Sequence, residues 1–216
     1  MHTTHRRTPD PLLFAGLTAL IFCLIVFGLI TRAGYITAID QTGFKWALAV
    51  RAPALSKFVI LITSIGNPLV TTLLSCAVGL IFALRRQWNL LAFVAVNMGG
   101  INGINFIVKA IVHRVRPFNA DLTIHNLVSA NGWSFPSGHS AGAVLLYGTL
   151  LICASALVQE KWGRVALRVV SVFLLIAIPL SRIYVQVHYP TDVIAGMCLG
   201  ATGLLLSLHF FKTDEI

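Results

Sequence analysis

Acidic side chains are scarce in this sequence: seven Asp and Glu stand against 16 Lys and Arg in 216 residues, and charged residues of either sign make up 11%. With 57% hydrophobic residues and a mean hydropathy of +0.85, such a chain cannot cover itself with a solvated surface, so a soluble domain is excluded. The same shortage argues against a hydrolase that clamps two hard cations between carboxylates, because that takes several acids in one place. Cysteine is also sparse. Cys23, Cys76, Cys153 and Cys198 each fall in a different apolar run and none in a connection, where they read as small apolar packing residues and say little about redox compartment. No Ser/Gly-rich linker, repeat or low-complexity tract interrupts the chain, so residues 1–216 are expected to form one compact helical domain.

Long apolar runs are abundant. A membrane helix needs about 20 residues, and six runs approach or exceed that: 12–31, 58–84, 88–112, 138–158, 165–184 and 190–211. The fifth is the weakest, its fully uncharged part reaching only from Val169 to Leu180. The second is broken by "GNP" at Gly66 to Pro68, which puts its membrane part at 68–84 with a bent entrance. The first follows His2, Arg6 and Arg7 like a signal peptide, but it exceeds the usual length of about 7 to 15 apolar residues, and "TRAGY" is a poor cleavage site. It is read as a retained span.

The expected fold is therefore all-α: a six-span transmembrane bundle in the bilayer, with an interfacial helix between spans one and two. That helix is placed in residues 32–57, where Trp46, Arg51 and Pro53 accompany apolar residues at near-helical spacing. A net charge of +9 would suggest nucleic acid in a soluble protein, but the basic residues cluster between spans, so no nucleic-acid partner is expected. Arg6, Arg7, Arg85, Arg86, Lys161, Arg164, Arg168 and Lys212 fall on one side. Arg32, Lys45, Arg51, Lys57, Lys109, Arg114, Arg116 and Arg182 fall on the other. If some of the second set serve a functional site, the remaining bias places both termini in the cytoplasm.

The third run carries "NMGGINGINF", with Gly99, Gly100 and Gly103 among Asn97, Asn102 and Asn105. Small residues let helices approach closely and amides bond across them, so close packing is preferred here to substrate contact. The polar residues that remain are unevenly placed. With six spans, the end of the third, the start of the fourth, the end of the fifth and the start of the sixth share one membrane face. These ends hold "KAIVHRVRP", "PSGH" and "SRIYVQVHYPTD".

Lys109 and Arg116 are seven residues apart, nearly two helical turns, which would return both to one helix face. With Arg182 they form three cations whose mutual repulsion a bound anion would relieve. Gly138 is read as permitting a tight turn, Ser137 as supplying a hydroxyl, and the start of the fourth span as supplying free N–H groups, together an anion cradle suited to phosphate. His188 precedes Pro190, and Asp192, four residues on, can hold one imidazole nitrogen so that the other is a nucleophile. His139 is placed to act as general acid. A zinc site built from His139, His188 and Asp192 would leave the three cations unexplained.

At these segments the sequence resembles the type-2 phosphatidic acid phosphatase superfamily. Six residues separate a lysine from Arg-Pro, Pro-Ser-Gly-His is intact, and Ser-Arg is followed by His and Asp at the expected spacings, the resemblance covering about residues 55–210. It implies a phosphatase that needs no metal or other cofactor and works through a phosphohistidine. His188 would attack phosphorus, Asp192 would orient it, and His139 would protonate the leaving oxygen and later activate water. Lys109, Arg116, Arg182, Ser137 and the Gly138 backbone would hold the phosphate oxygens. Phe118 and Asn119 stand where a second basic pair is often found.

Soluble acid phosphatases and vanadate haloperoxidases share this anion site, and six spans argue against both. The short chain is similar to the bacterial phosphatidylglycerophosphate and undecaprenyl diphosphate phosphatases of the superfamily, which implies a lipid phosphate or diphosphate substrate, phosphatidate included. Catalysis is expected on the extracytoplasmic face. Head-group selection is expected from residues 32–57 and 118–135. A phosphotransferase would use the same site with another acceptor. A transporter or channel is disfavoured, because the polar residues gather at one face rather than along a path.

Overall fold

The computed structural model describes residues 10–211; Arg6, Arg7 and Lys212 lie outside them, and with them that part of the charge bias. Helix α1 (Pro11–Ile30) starts where Asp10 accepts a 2.9 Å bond from the Leu12 N–H and Pro11 supplies a preset φ. Its apolar surface lies along the last helix, α11 (Pro190–Phe210), where the Thr18 and Thr202 hydroxyls meet at 2.7 Å. Helix α2 (Gly34–Ala49) ends before Arg51 and Pro53, shorter than the expected interfacial segment. It turns Ile36, Asp40 and Ala47 into the bundle, a buried acid included.

The "GNP" break divides α3 (Pro53–Ile65) from α4 (Pro68–Leu84), with a bend of 49°. Pro68 cannot donate to α3, and the Asn67 side chain caps α4 through the Leu69 N–H at 2.9 Å. Helix α5 (Trp88–Ala95) passes through a π-helical turn at Val96–Gly100 into α6 (Ile101–Val112). A short α7 (Pro117–Ala120) and a loop lead to α8 (Gly138–Ile152), after which come α9 (Ala154–Leu157), α10 (Lys161–Tyr184) and α11.

Helix α8 is the hub. Residues 140–149 are all buried, between α10 and α11, so it is apolar all round rather than on one face. It is also shorter than its run of 138–158, because the helix stops at Cys153; 15 residues rise only about 22 Å. The fifth run, weakest in sequence, forms the longest single helix: Glu160 caps α10 through the N–H groups of Trp162 and Gly163, and the helix continues through Pro179. The architecture is an all-helical membrane bundle with, among the described residues, four helices long and apolar enough to cross a bilayer, or five if α3 and α4 count as one bent span.

The glycines of the third run do not pack against a neighbouring helix. A Cβ placed on Gly99, Gly100 or Gly103 would meet nothing within 4 Å among the described residues. Gly99 instead lines an apolar groove of about 440 Å³ between α4 and the α5–π–α6 segment. Close approach occurs at α11, where a Cβ on Gly196 would run into the Ser137 carbonyl oxygen and one on Gly200 would lie 2.9 Å from that of Ala141. These two glycines seat α11 on the start of α8. Gly196→Ala is expected to cost about 1 to 3 kcal/mol through overpacking, read as a lower unfolding temperature in detergent together with reduced turnover.

Candidate active site

The four chain ends grouped by parity do converge. They surround a cavity of about 460 Å³ whose wall includes Lys109 at the end of α6, Arg116 beyond it, Gly138 and His139 at the start of α8, Arg182 in the last turn of α10, and His188 before α11. Lys109 and Arg116 do not share a helix face, however. Helix α6 ends at Val112, His113 is left-handed at φ 49°, and Arg116 is extended, so the chain doubles back to bring the second cation to the cavity. The remaining wall comes from Thr63, Ser64, Asn67 and Pro68 at the α3–α4 break and from Val128 to Asn131. Of the two segments expected to select the head group, 118–135 supplies four of the residues that line this cavity, and no residue of 32–57 is among those lining it.

The cations are held by neutral oxygens. Lys109 Nζ donates to the Trp133 carbonyl at 2.9 Å, and Arg116 donates to the carbonyls of Gly132, Val187 and Asn131 at 2.8 to 2.9 Å. Arg182 donates to the Thr63 hydroxyl at 2.6 Å, and its buried Nε has no partner among the described residues. Among the described residues, none of the three forms an ion pair. Carbonyl and hydroxyl dipoles fix their positions without cancelling their charge, which leaves a positive cavity whose charge and geometry suit an anion.

His188 is 2% exposed, and its two ring nitrogens face different groups. Nε2 lies 3.3 Å from Arg116 Nη1, and since a guanidinium has no acceptor, Nε2 must carry the lone pair there. Nδ1 therefore bears the proton, 3.4 Å from the Ser134 hydroxyl and 3.5 Å from Asp192 Oδ2. Burial pushes the imidazole pKa down to about 4, against the upward pull of Asp192. Asp192 is fully buried behind the cavity. Its Oδ2 accepts from the Ser134 hydroxyl at 2.5 Å and the Tyr189 N–H at 3.0 Å, and its Oδ1 from Arg114 at 2.6 Å.

Two expected phosphate ligands differ from their sequence reading. Ser137 is buried and is not on the cavity wall; as the cap of α8, its hydroxyl accepts from the Ser140 N–H and hydroxyl at 3.4 and 2.9 Å. Gly138 lacks a positive φ, and a Cβ on it would meet only Asn105 Oδ1 at 3.7 Å, so the turn itself does not require glycine. Its bare face opens on the cavity. His139 is partly exposed on the wall. Among the described residues, no three His, Cys, Asp or Glu side chains cluster as metal ligands.

Sequence reasoning gave no site role to Arg114 and Ser134, which bond the Asp192 carboxylate, or to Asp40 and Thr191, which bond Arg114. Asp40 carried a signal: it is the sole acid between Asp10 and Asp121, in a chain with seven.

In a membrane bundle, the cavity brings three cations without ion-pair partners among the described residues to a buried imidazole. The family model of the PAP2 superfamily matches residues 86–215, and the chain belongs to that family. It is 28% identical over 186 residues to phosphatidylglycerophosphatase B of Bacillus subtilis, covering 84% of this chain and 86% of that one. It is 34% identical over 121 residues to decaprenylphosphoryl-5-phosphoribose phosphatase of Mycobacterium tuberculosis, covering 55% of this chain and 58% of that one. The fold is shared with the crystal structure of a transmembrane PAP2-type phosphatidylglycerolphosphate phosphatase from Bacillus subtilis, at a TM-score of 0.75 and 24% identity, covering 96% of this chain and 98% of that one.

Proposed function

We propose that this PAP2 membrane lipid phosphatase hydrolyses the phosphate monoester or diphosphate of a lipid through a phosphohistidine, without a metal ion. The observation that carries the reading is the polarity of His188, with Nδ1–H turned to Ser134 and Asp192 and the Nε2 lone pair beside Arg116 at the cavity. The substrate phosphate binds between Lys109, Arg116 and Arg182, aided by the start of α8. Nε2 attacks phosphorus as the bond to the leaving oxygen breaks, and His139 gives that oxygen a proton. His139 then removes a proton from water, which attacks phosphorus, and the N–P bond breaks to release phosphate.

A lipid substrate is supported by the apolar groove, whose α4 wall begins at Thr72, one helical turn beyond Pro68 on the cavity wall. It is supported too by the relatives that act on phosphatidylglycerophosphate and on a decaprenylphosphoryl sugar phosphate. Phosphatidylglycerophosphate, undecaprenyl diphosphate and phosphatidate all fit this class. In this reading the chain is one integral-membrane domain with six crossings, α3–α4 forming the bent second and the short α8 the fourth, and the cavity opens on the extracytoplasmic face.

Purified protein is expected to release phosphate from these lipids at an undiminished rate in EDTA, and vanadate, which takes the shape of the transition state, is expected to inhibit. Loss of activity in EDTA with recovery on adding a divalent cation would overturn the metal-free mechanism. Transport of the lipid with no phosphate release would overturn the reading altogether.

A further inference from the structure

We propose that Asp40, on α2, is a positioning residue for phosphoryl transfer, acting through Arg114 on the Asp192 carboxylate and so on the ring of His188. The inference rests on the function proposed above. Asp40 lies outside the residues matched by the family model, on the helix that the sequence places at the membrane surface.

The geometry is a closed ring. Arg114 joins two carboxylates, with Nη2 on Asp40 Oδ2 at 2.5 Å and Nη1 on Asp192 Oδ1 at 2.6 Å. Nη1 also donates to the Thr191 hydroxyl at 2.7 Å, and that hydroxyl donates onward to Asp40 Oδ1 at 2.8 Å. The Thr191 N–H, one of the amides that the start of α11 leaves without an intrahelical partner, donates to the same Oδ1 at 3.0 Å. Asp40 thus caps α11 from a different helix, beside the residue that faces His188. The guanidinium also lies over the Tyr189 ring, 3.9 Å from its centroid. Asp40 is 6% exposed and Asp192 0%, while the Arg114 side chain is 15% exposed, so both carboxylates lie largely out of reach of solvent screening.

Charge gives the ring a role beyond holding α11 in place. Arg114 alone with Asp192 would be a neutral pair, leaving little negative potential at His188 Nδ1 when the ring becomes cationic on attack. With Asp40 the three groups sum to −1, and the excess can act on the imidazole. The phosphate-binding cations are untouched by Asp40, so its removal should slow the chemical step rather than weaken binding.

The test measures kcat and KM on a lipid monophosphate for Asp40→Asn, Asp40→Glu, Asp192→Asn and the double variant Asp40→Asn/Asp192→Asn, with thermal unfolding in detergent alongside. Partners that orient a reacting imidazole are typically worth about 10- to 100-fold. Asp40→Asn is expected to lower kcat by that factor with KM within about twofold, and Asp40→Glu to recover part of the loss. Asp40→Asn is expected to cost nothing further in the Asp192→Asn background, because the effect passes through that carboxylate.

Losses that multiply in the double variant, or a raised KM at unchanged kcat, would overturn the inference. Should Asp40→Asn not fold, Arg114→Lys decides: it keeps the charge but cannot bridge both acids, and a folded variant with wild-type kcat would likewise overturn it. His188→Ala separates the two levels of the argument. Activity surviving that change defeats the proposed function, whereas loss there with a wild-type Asp40→Asn defeats the positioning role alone.

Discussion

His188→Ala is expected to lower kcat on a lipid phosphate by about 10⁴-fold or more, because a covalent mechanism without its nucleophile retains only binding and transition-state charge stabilisation. KM should change little, since in the proposed mechanism Lys109, Arg116 and Arg182 hold the phosphate and all three remain on the cavity wall. Quenching the wild-type protein during turnover with ³²P-labelled lipid should yield acid-labile, alkali-stable protein-bound label, absent from the variant. Label on the wild type that survives in His188→Ala would place the nucleophile elsewhere.

The same residue links activity to stability. Burial lowers the His188 pKa to about 4, which keeps the ring neutral from pH 5 to 8, as the proposed nucleophilic role requires. The unfolded chain takes up this proton near pH 6.5, the folded protein not until about 4, so stability attributable to the group is complete above the unfolded value and declines as pH falls between the two. His188→Ala should remove that share of the acid-side decline in unfolding temperature. An unchanged pH dependence would mean that His188 is not held neutral by burial.

His139→Gln is expected to lower kcat on a lipid phosphate by about 10²- to 10⁴-fold, the usual span for losing a general acid. The informative comparison is with p-nitrophenyl phosphate, whose leaving group departs without a proton. On that substrate the first step should survive while hydrolysis of the phosphohistidine, which needs His139 as base, becomes slow. The variant should then release about one equivalent of nitrophenol in a burst and nearly stop. Equal losses on the two substrates with no burst would remove His139 from proton transfer and leave it a cavity-wall residue.

Much of the site was legible because its chemistry uses residues that a membrane chain does not otherwise favour. Lys109, Arg116, Arg182, His139 and His188 stand out against apolar runs, and counting spans brings their helix ends to one face. Other readings failed where they relied on local periodicity. Lys109 and Arg116 meet because the chain turns at His113, not because of helical spacing. Gly99, Gly100 and Gly103 have the composition of a packing seam but face open space, since a stripe of small residues does not reveal whether another helix lies over it.

By itself, the sequence determined that this protein is a helical membrane bundle, which residues carry charge or an imidazole, and which ends of the runs gather them. Those properties follow from composition and from the roughly 20 residues a bilayer crossing requires. Only the tertiary structure decided what each polar group meets. It set Arg114 between Asp40 and Asp192, surrounded Arg116 with carbonyls, turned the lone pair of His188 toward the cavity, and closed that cavity with the α3–α4 break. Such pairings depend on how far each helix rotates about its axis and where it crosses its neighbours. Contacts across 70 to 150 residues of chain settle those quantities, and no local pattern records them.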